Sequence, residues 1–376
     1  MPSSTQQLGL TEARALIADC GFGSAGDASR PPTIGIELES FTMPAKNPAR
    51  LPSPSLLAGS RLTFEPGGQA ELSSPPAGSV SAACDAVARD LGALGEAFSP
   101  LGVKLVQRGL STCPAQRVVD QPRYRAMEAY FDTAWPEGRR MMCATAAVQV
   151  NLGLGDGADA ARRWQAGHAL GPFLAAAFTS SSIPRRWACA RLATWLVLDP
   201  SRTAPVRTEG EPADAWAEYA LDARVMLIRV GDDYRPLVNG PLTARQWVLE
   251  GHPFGWPTGD DIAYHLTTLF PPVRPKRWLE LRMIDALPDP WWRVPVAVVA
   301  TLLDDEAAIA VSRPAAGRWW EAARRGLADP VLGSVARVLA PMAVAGLDRV
   351  GTDGVTAERT EQWAHAVSQG KPLPWT

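Results

Sequence analysis

Lysine is scarce in this chain. Of its 37 basic residues only four are lysines (Lys46, Lys104, Lys276 and Lys371), and the remaining 33 are arginines. Beside abundant alanine and 34 prolines, such a skew is what a GC-rich coding sequence produces, so no arginine is read as functional from its type alone. Cysteine is also sparse: Cys20, Cys84, Cys113, Cys143 and Cys189 are scattered, odd in number and form no CxxC pair. That argues against a disulfide framework or a zinc site and for free thiols in a reducing compartment. The four histidines, His168, His252, His265 and His365, contain no HExxH pair, which disfavours a zinc hydrolase. No GxSxG elbow and no GxxxxGK[ST] loop is present, so a serine hydrolase is weakened and any ATP is held by something other than a P-loop.

Long apolar runs are missing too. The longest uncharged stretches, such as residues 294–303, fall far short of a membrane span, and residues 1–7 are polar without a signal-like apolar core. A formal net charge of −2 offers no basic face for nucleic acid. With 46% hydrophobic and 20% charged residues the chain has the balance of a globular protein with a large core. These features predict a soluble cytoplasmic protein with no nucleic-acid or membrane partner.

No repeat of 20–50 residues is visible. Helical spacing is expected over 11–20, 80–98, 124–131, 158–179, 260–270 and 294–311, with more helices after Gly317. Alternation predicts strands over 33–41, 103–108, 144–154, 221–230 and 278–284. A pair of short strands is predicted within 61–73 around Pro66, Gly67 and Gly68. Residues 44–54 are Pro-rich and read as a loop. Strands and helices are interspersed without regular βαβ alternation, which favours an α+β fold with a mostly antiparallel sheet. Only the weak segment 205–212 resembles a linker, so one domain over 1–376 is expected, with 317–376 as a helical cover.

Four segments carry chemistry. In GIELE (35–39), residues two apart share a strand face, so Glu37 and Glu39 point together while Ile36 and Leu38 enter the core. Paired carboxylates repel, and a hard divalent cation removes that cost; the alternative is an ordinary acidic surface. In FEPGGQAELS (64–73), Glu65 and Glu71 flank a glycine turn that can fold both acids onto one face; the alternative is a surface hairpin. In LELR (279–282), Glu280 and Arg282 share a face, either as a simple ion pair or as an acid that holds a metal beside a guanidinium that clamps phosphate. Gln149 is a neutral oxygen donor on a strand. Finally, Arg191, Trp195, Asp199 and Arg202 lie close in sequence, suiting either recognition of a substrate carboxylate or a structural Arg–Asp network under a buried Trp. The string GFGSAG (21–26) fits GxGxxG, but it follows a helix-like segment and no helix follows it, so a helix C-cap is the better reading.

Taken together these segments resemble the glutamate–cysteine ligase family in its plant-like branch, in particular the short actinobacterial versions tied to ergothioneine biosynthesis. The residues that carry the resemblance are GIELE (35–39), FEPGGQAELS (64–73), Arg123 and Tyr124 with Met127, TAAVQVNL (145–152), residues 191–203, and HLTTLFPPVRPKRWLELRMID (265–285). They occur in the family's order and span about 33–292. The resemblance implies a fold of the glutamine synthetase and guanidino kinase group: a curved antiparallel sheet forming a funnel, with helices outside.

It implies two or three Mg²⁺ with ATP as co-substrate, held by Glu37, Glu39, Glu65, Glu71, Gln149 and Glu280. Arg123 and Arg282 would act on the transferred phosphoryl group, and Arg191, Trp195 and Arg202 would bind substrate. The implied reaction joins the γ-carboxyl of L-glutamate to the amine of L-cysteine through a γ-glutamyl phosphate, in a monomeric enzyme. A ligase using a different amine stands behind it, then a phosphagen-type kinase or a non-catalytic binding protein. Pro275 before Lys276 departs from the family's pattern, and the redox-regulating cysteines of the plant enzymes have no counterparts to carry over.

Overall fold

The computed structural model describes residues 7–23, 33–46, 51, 57, 59–371, 373 and 375. Most of the Pro-rich 44–54 segment and the second half of GFGSAG lie outside these residues. Gly21 and Phe22 close the helix Leu10–Phe22, so the first half of that glycine string is a helix end, as expected.

Among the described residues nine strands form two sheets. The strands are β1 (Ile34–Met43), β2 (Arg61–Phe64), β3 (Ala70–Ser73), β4 (Lys104–Val106), β5 (Val148–Gly153), β6 (Leu227–Val230), β7 (Asp233–Pro236), β8 (Val273–Pro275) and β9 (Trp278–Leu281). The main sheet has seven strands in the order β2-β3-β1-β5-β9-β8, with β4 also on β1, and β6 pairs only with β7. All of these pairings are antiparallel. The fold is therefore α+β around an antiparallel sheet.

Period-two alternation splits this sheet into an apolar and a polar face. Ile36, Leu38, Leu72, Val148, Val150, Leu279 and Leu281 are sealed on the apolar side. Helices cover them. Val80–Phe98 is capped by Ser79, whose side chain accepts from the amide of Ala82. It turns Val80, Ala83, Cys84, Val87, Leu94 and Phe98 inward at helical spacing. Gly157–Ala177 starts at the capping carboxylate of Asp156. It comes so close to the sheet that a Cβ on Gly167 would sit 3.2–3.3 Å from Leu281, Leu279 and Val273. Trp319–Arg325 and Pro330–Ala345 pack on it, Arg293–Leu302 lies directly on β5, and Gly354–Ser368 packs on Arg293–Leu302 and Pro330–Ala345.

Several expected boundaries differ. The helix expected over 294–311 is two, because Asp305 caps a new start by accepting from the amide of Ala308. Residues 212–222 are helical, so the strand expected over 221–230 is confined to β6. β8 was not expected, and its Pro275 is tolerated because β8 is the edge strand. Among the described residues no single helix is long and apolar enough to cross a membrane.

Candidate active site

Strand register brings the sequence-distant acids together. Across β2, β3 and β1, Thr63 faces Glu71 and Glu71 faces Glu39. Glu37 faces Ser73 on one side and Gln149 on the other. Glu280 of β9 faces Asn151 of β5 and Arg274 of β8. Directly opposed residues of an antiparallel pair project to the same side. Every one of these side chains therefore stands on the polar face, opposite the sealed aliphatic one.

The turn between β2 and β3 is built for this. Gly68 has φ +84°, a left-handed backbone that glycine adopts without penalty. Its amide donates to the Glu65 carbonyl at 2.8 Å. A Cβ on Gly67 would collide with the backbone carbonyl of Cys143, so only glycine lets the turn lie against residues 142–145. Gln69 locks it there by donating to the carbonyl of Thr145 at 2.9 Å.

The polar face floors a cavity of about 400 Å³. Glu37, Glu39, Glu65 and Glu71 line it, and so do Arg61, Arg123, Arg191, Arg274, Lys276 and Arg282. The four acids are half-buried and under-compensated. Glu39 accepts from the amide of Ala147 at 2.9 Å and from Gln149 at 3.2 Å. Glu37 accepts from Asn151 at 3.2 Å and Glu71 from Thr63 at 2.9 Å. Burial pushes the carboxyl of Glu37 up to about 7, with the charges of Glu280 and Glu71 adding to it. Burial and then Glu71 and Glu65 push Glu39 to about 8. Burial and Glu65 push Glu71 to about 7, and burial also raises Glu65.

Glu280 is the opposite case. It is fully buried beneath the cavity, and Arg274 at 2.6 Å, Arg282 at 2.9 Å and Lys276 at 3.1 Å surround its carboxylate. Burial opposes its ionisation, but the three cations together hold it far below the usual carboxylate range. Arg282 also donates to Gln149, placing its guanidinium between Gln149 and Glu280. Arg123 is held by the hydroxyl and carbonyl of Thr267 at 2.8 and 2.9 Å. Arg191 donates to the carbonyl of Arg282 at 2.9 Å and lies over the Trp195 ring. Among the described residues Arg191 Nε and Trp195 Nε1 are buried donors with no acceptor. Both residues line the cavity.

Of the residues singled out in the sequence, the cavity gathers Glu37, Glu39, Glu65, Glu71, Gln149, Arg123, Arg282, Arg191 and Trp195, while Glu280 lies beneath it and outside its lining. Arg202 is not among them. It is fully buried and spends its donors on Asp199 at 3.0 Å, the Thr268 carbonyl at 2.8 Å and the Arg224 carbonyl at 2.6 Å. Nothing is left to reach a substrate, so the substrate-binding expectation for Arg202 gives way to the structural Arg–Asp network. Arg274 and Lys276 were missed. The unrecognised hairpin 273–281 was their signal, since it sets Arg274 opposite Glu280.

The family model described as glutamate-cysteine ligase family 2 (GCS2) matches residues 33–364. The chain belongs to this family. Within glutamate–cysteine ligase family 2, the chain is similar to glutamate–cysteine ligase EgtA of Mycolicibacterium smegmatis, at 41% identity over 79% of this chain and 76% of the relative. EgtA of Mycobacterium tuberculosis is 38% identical over 79% of this chain and 75% of its own length. A chloroplastic glutamate–cysteine ligase of Arabidopsis thaliana is 31% identical over 66% of this chain but only 50% of its own length, so the plant relative is about twice the matched span. Among solved structures, a glutamate–cysteine ligase from Francisella tularensis in complex with AMP superposes with a TM-score of 0.53 at 12% identity. It covers 94% of this chain and 84% of that one, and supports the fold.

Proposed function

We propose that this family member is an ATP-dependent ligase that joins the γ-carboxyl of L-glutamate to the amine of L-cysteine, giving γ-glutamylcysteine, ADP and phosphate. Its product would feed ergothioneine synthesis, as the EgtA likeness suggests. The observation that carries the reading is one cavity in which four carboxylates face a bank of guanidinium groups.

A carboxylate oxygen is a poor leaving group, so the glutamate γ-carboxylate first attacks the terminal phosphorus of ATP. ADP leaves, and γ-glutamyl phosphate forms. The cysteine amine then attacks the acyl carbon and expels phosphate. No nucleophilic side chain is required, because the substrate carboxylate and amine are themselves the attacking groups. Arg282 and Arg123 are the groups we assign to the transferred phosphoryl, where fixed cations stabilise spreading negative charge. Arg191, with Trp195 beside it, is assigned to a glutamate carboxylate because both residues line the cavity. Residues 1–376 would serve as one catalytic domain, with 317–376 bracing the sheet from behind.

Mg²⁺ suits the same site by donor chemistry. Glu37, Glu39, Glu65 and Glu71 supply hard oxygens whose ionisation burial and mutual repulsion resist, and a divalent cation relieves both. Gln149 and Glu280 are the further candidate ligands, though both are engaged by Arg282. Among the described residues no three acidic, histidine or cysteine side chains already stand as a ligand set. When bound, Mg²⁺ would neutralise the charge of the nucleotide phosphates.

The test is incubation with L-glutamate, L-cysteine, ATP and Mg²⁺, read by mass spectrometry. γ-Glutamylcysteine with stoichiometric ADP and phosphate is expected. ADP without an amide product, across a panel of amines that includes cysteine, would overturn the reading.

A further inference from the structure

A second cavity of about 410 Å³ opens on the helical side of the molecule, away from the acid cluster. Leu327, Ala336 and Val367 give it an apolar floor. Its charged lining consists of Arg325, Arg337 and Lys371, and no acid lines it among the described residues. None of these three cations enters an ion pair with a described residue, in a chain where most arginines of the described region do. Three exposed cations beside an apolar floor, unpaired among the described residues, make a positive surface that suits a ligand of complementary make-up.

One wall of this cavity leads to the active site. Thr179 lines it, and the Thr179 hydroxyl stands between two acceptors, the carbonyl of Ala188 at 2.9 Å and the buried carboxylate of Asp285 at 3.1 Å. The amide of the neighbouring Ser180 donates to the same oxygen at 2.9 Å. The other oxygen of Asp285 lies 3.9 Å from the Arg191 guanidinium, which lines the catalytic cavity. A displacement of Thr179 therefore has a contiguous polar path to Arg191.

We propose that this cavity is a second binding site, for a small amphipathic anion with one carboxylate, sulfonate or phosphate group on an apolar body. Its occupation is sensed at the catalytic cavity through Thr179, Asp285 and Arg191. The head group pairs with Arg325, Arg337 and Lys371 while the body covers Leu327 and Val367. Binding is independent of the proposed ligase activity; the sensing arm rests on that reading, because Arg191 is there assigned to glutamate.

The probe is 8-anilinonaphthalene-1-sulfonate, titrated by fluorescence into the full chain. Saturable binding at one site is expected, undiminished by saturating ATP, glutamate and Mg²⁺. The exposed-site variants Arg325→Glu and Arg337→Glu, which reverse a charge facing the head group, should each weaken it at least about tenfold, or about 1.4 kcal/mol, while Lys104→Glu on β4 should not. Equal affinity in all four proteins, or displacement by the substrates, overturns the site. In steady-state assays the probe should shift the glutamate KM of the wild type and leave that of Arg337→Glu unchanged. An unaltered wild-type KM at saturating probe overturns the sensing path while the titration judges the site itself. Absence of ligase activity in the unliganded protein would count against the proposed function and leave the titration result standing.

Discussion

Single carboxylates decide both the chemistry and part of the stability. Glu39 ionises only with difficulty because burial and its neighbours Glu71 and Glu65 oppose it. Glu39→Gln keeps the shape and removes the charge. Its kcat should fall on the order of 10²–10³-fold, the scale of losing one preorganised electrostatic contact. Its metal-free thermal midpoint at pH 8 should stay level or rise, which differential scanning calorimetry would read. Glu280 behaves otherwise, because it compensates three cations. Glu280→Ala should abolish activity and also cost about 3–5 kcal/mol, since it strands buried Arg274 and Arg282. Chemical denaturation compares it with Glu39→Gln, and equal stability of the two variants would contradict the different environments described for these acids. Arg191→Ala should raise the glutamate KM; an unchanged KM would remove it from the substrate site.

At the scale of elements, the glycine turn and the Arg202 network set where the catalytic strands stand. Gly67→Ala places a methyl against the Cys143 carbonyl, so the β2–β3 turn must lift. Overpacking of this kind costs about 1–3 kcal/mol. Because Glu65 and Glu71 ride on that turn, kcat should fall well beyond what the stability loss explains, with residual activity measured far below the melting point. Arg202→Ala is expected to act in reverse. It unties Asp199, Thr268 and Arg224 and leaves the Asp199 charge buried, a loss of about 3–5 kcal/mol. The glutamate KM of the surviving folded fraction should be nearly unchanged.

These two elements also mark the limits of reading the sequence. β1 was legible because GIELE alternates charge and aliphatic strictly, and a period of two fixes which side each residue takes. The turn was legible from Pro66, Gly67 and Gly68. The 191–203 segment was not, since an arginine beside a tryptophan and an aspartate looks alike whether its guanidinium reaches a ligand or a buried carboxylate and two backbone carbonyls. Only packing distinguishes Arg191 from Arg202. β8 escaped because it is three residues long and holds a proline. Without it, the pairing of Arg274 with Glu280 had no visible cause. Helix 294–311 was overrun because its apolar spacing continues through Asp304 and Asp305, where a local cap overrides it.

For the whole molecule, the acid cluster links folding to pH and to cations. In the unfolded chain these glutamates titrate near 4.5, whereas folded Glu37, Glu71 and Glu39 hold their protons to about 7, 7 and 8. The stabilisation from this difference is complete below pH 4.5 and is lost as pH rises through 7 to 8. Metal-free protein should therefore show a falling melting temperature over that window, and excess Mg²⁺ should restore it. A cation at a hundred times its dissociation constant contributes about 2.7 kcal/mol. A pH-independent melting temperature across the window, with and without Mg²⁺, would contradict the cluster's electrostatics.

The two-sided sheet has a genetic consequence. On β1 the aliphatic residues at 36 and 38 and the acids at 37 and 39 share one alternation. A single codon inserted ahead of Ile36 would turn every following side chain over, sending glutamates into the helical layer and aliphatics into the cavity. Neither half of that error can be repaired separately. Insertions and deletions in this strand should thus be purged in laboratory evolution even when selection is for folding alone, while the loops at its ends drift in length.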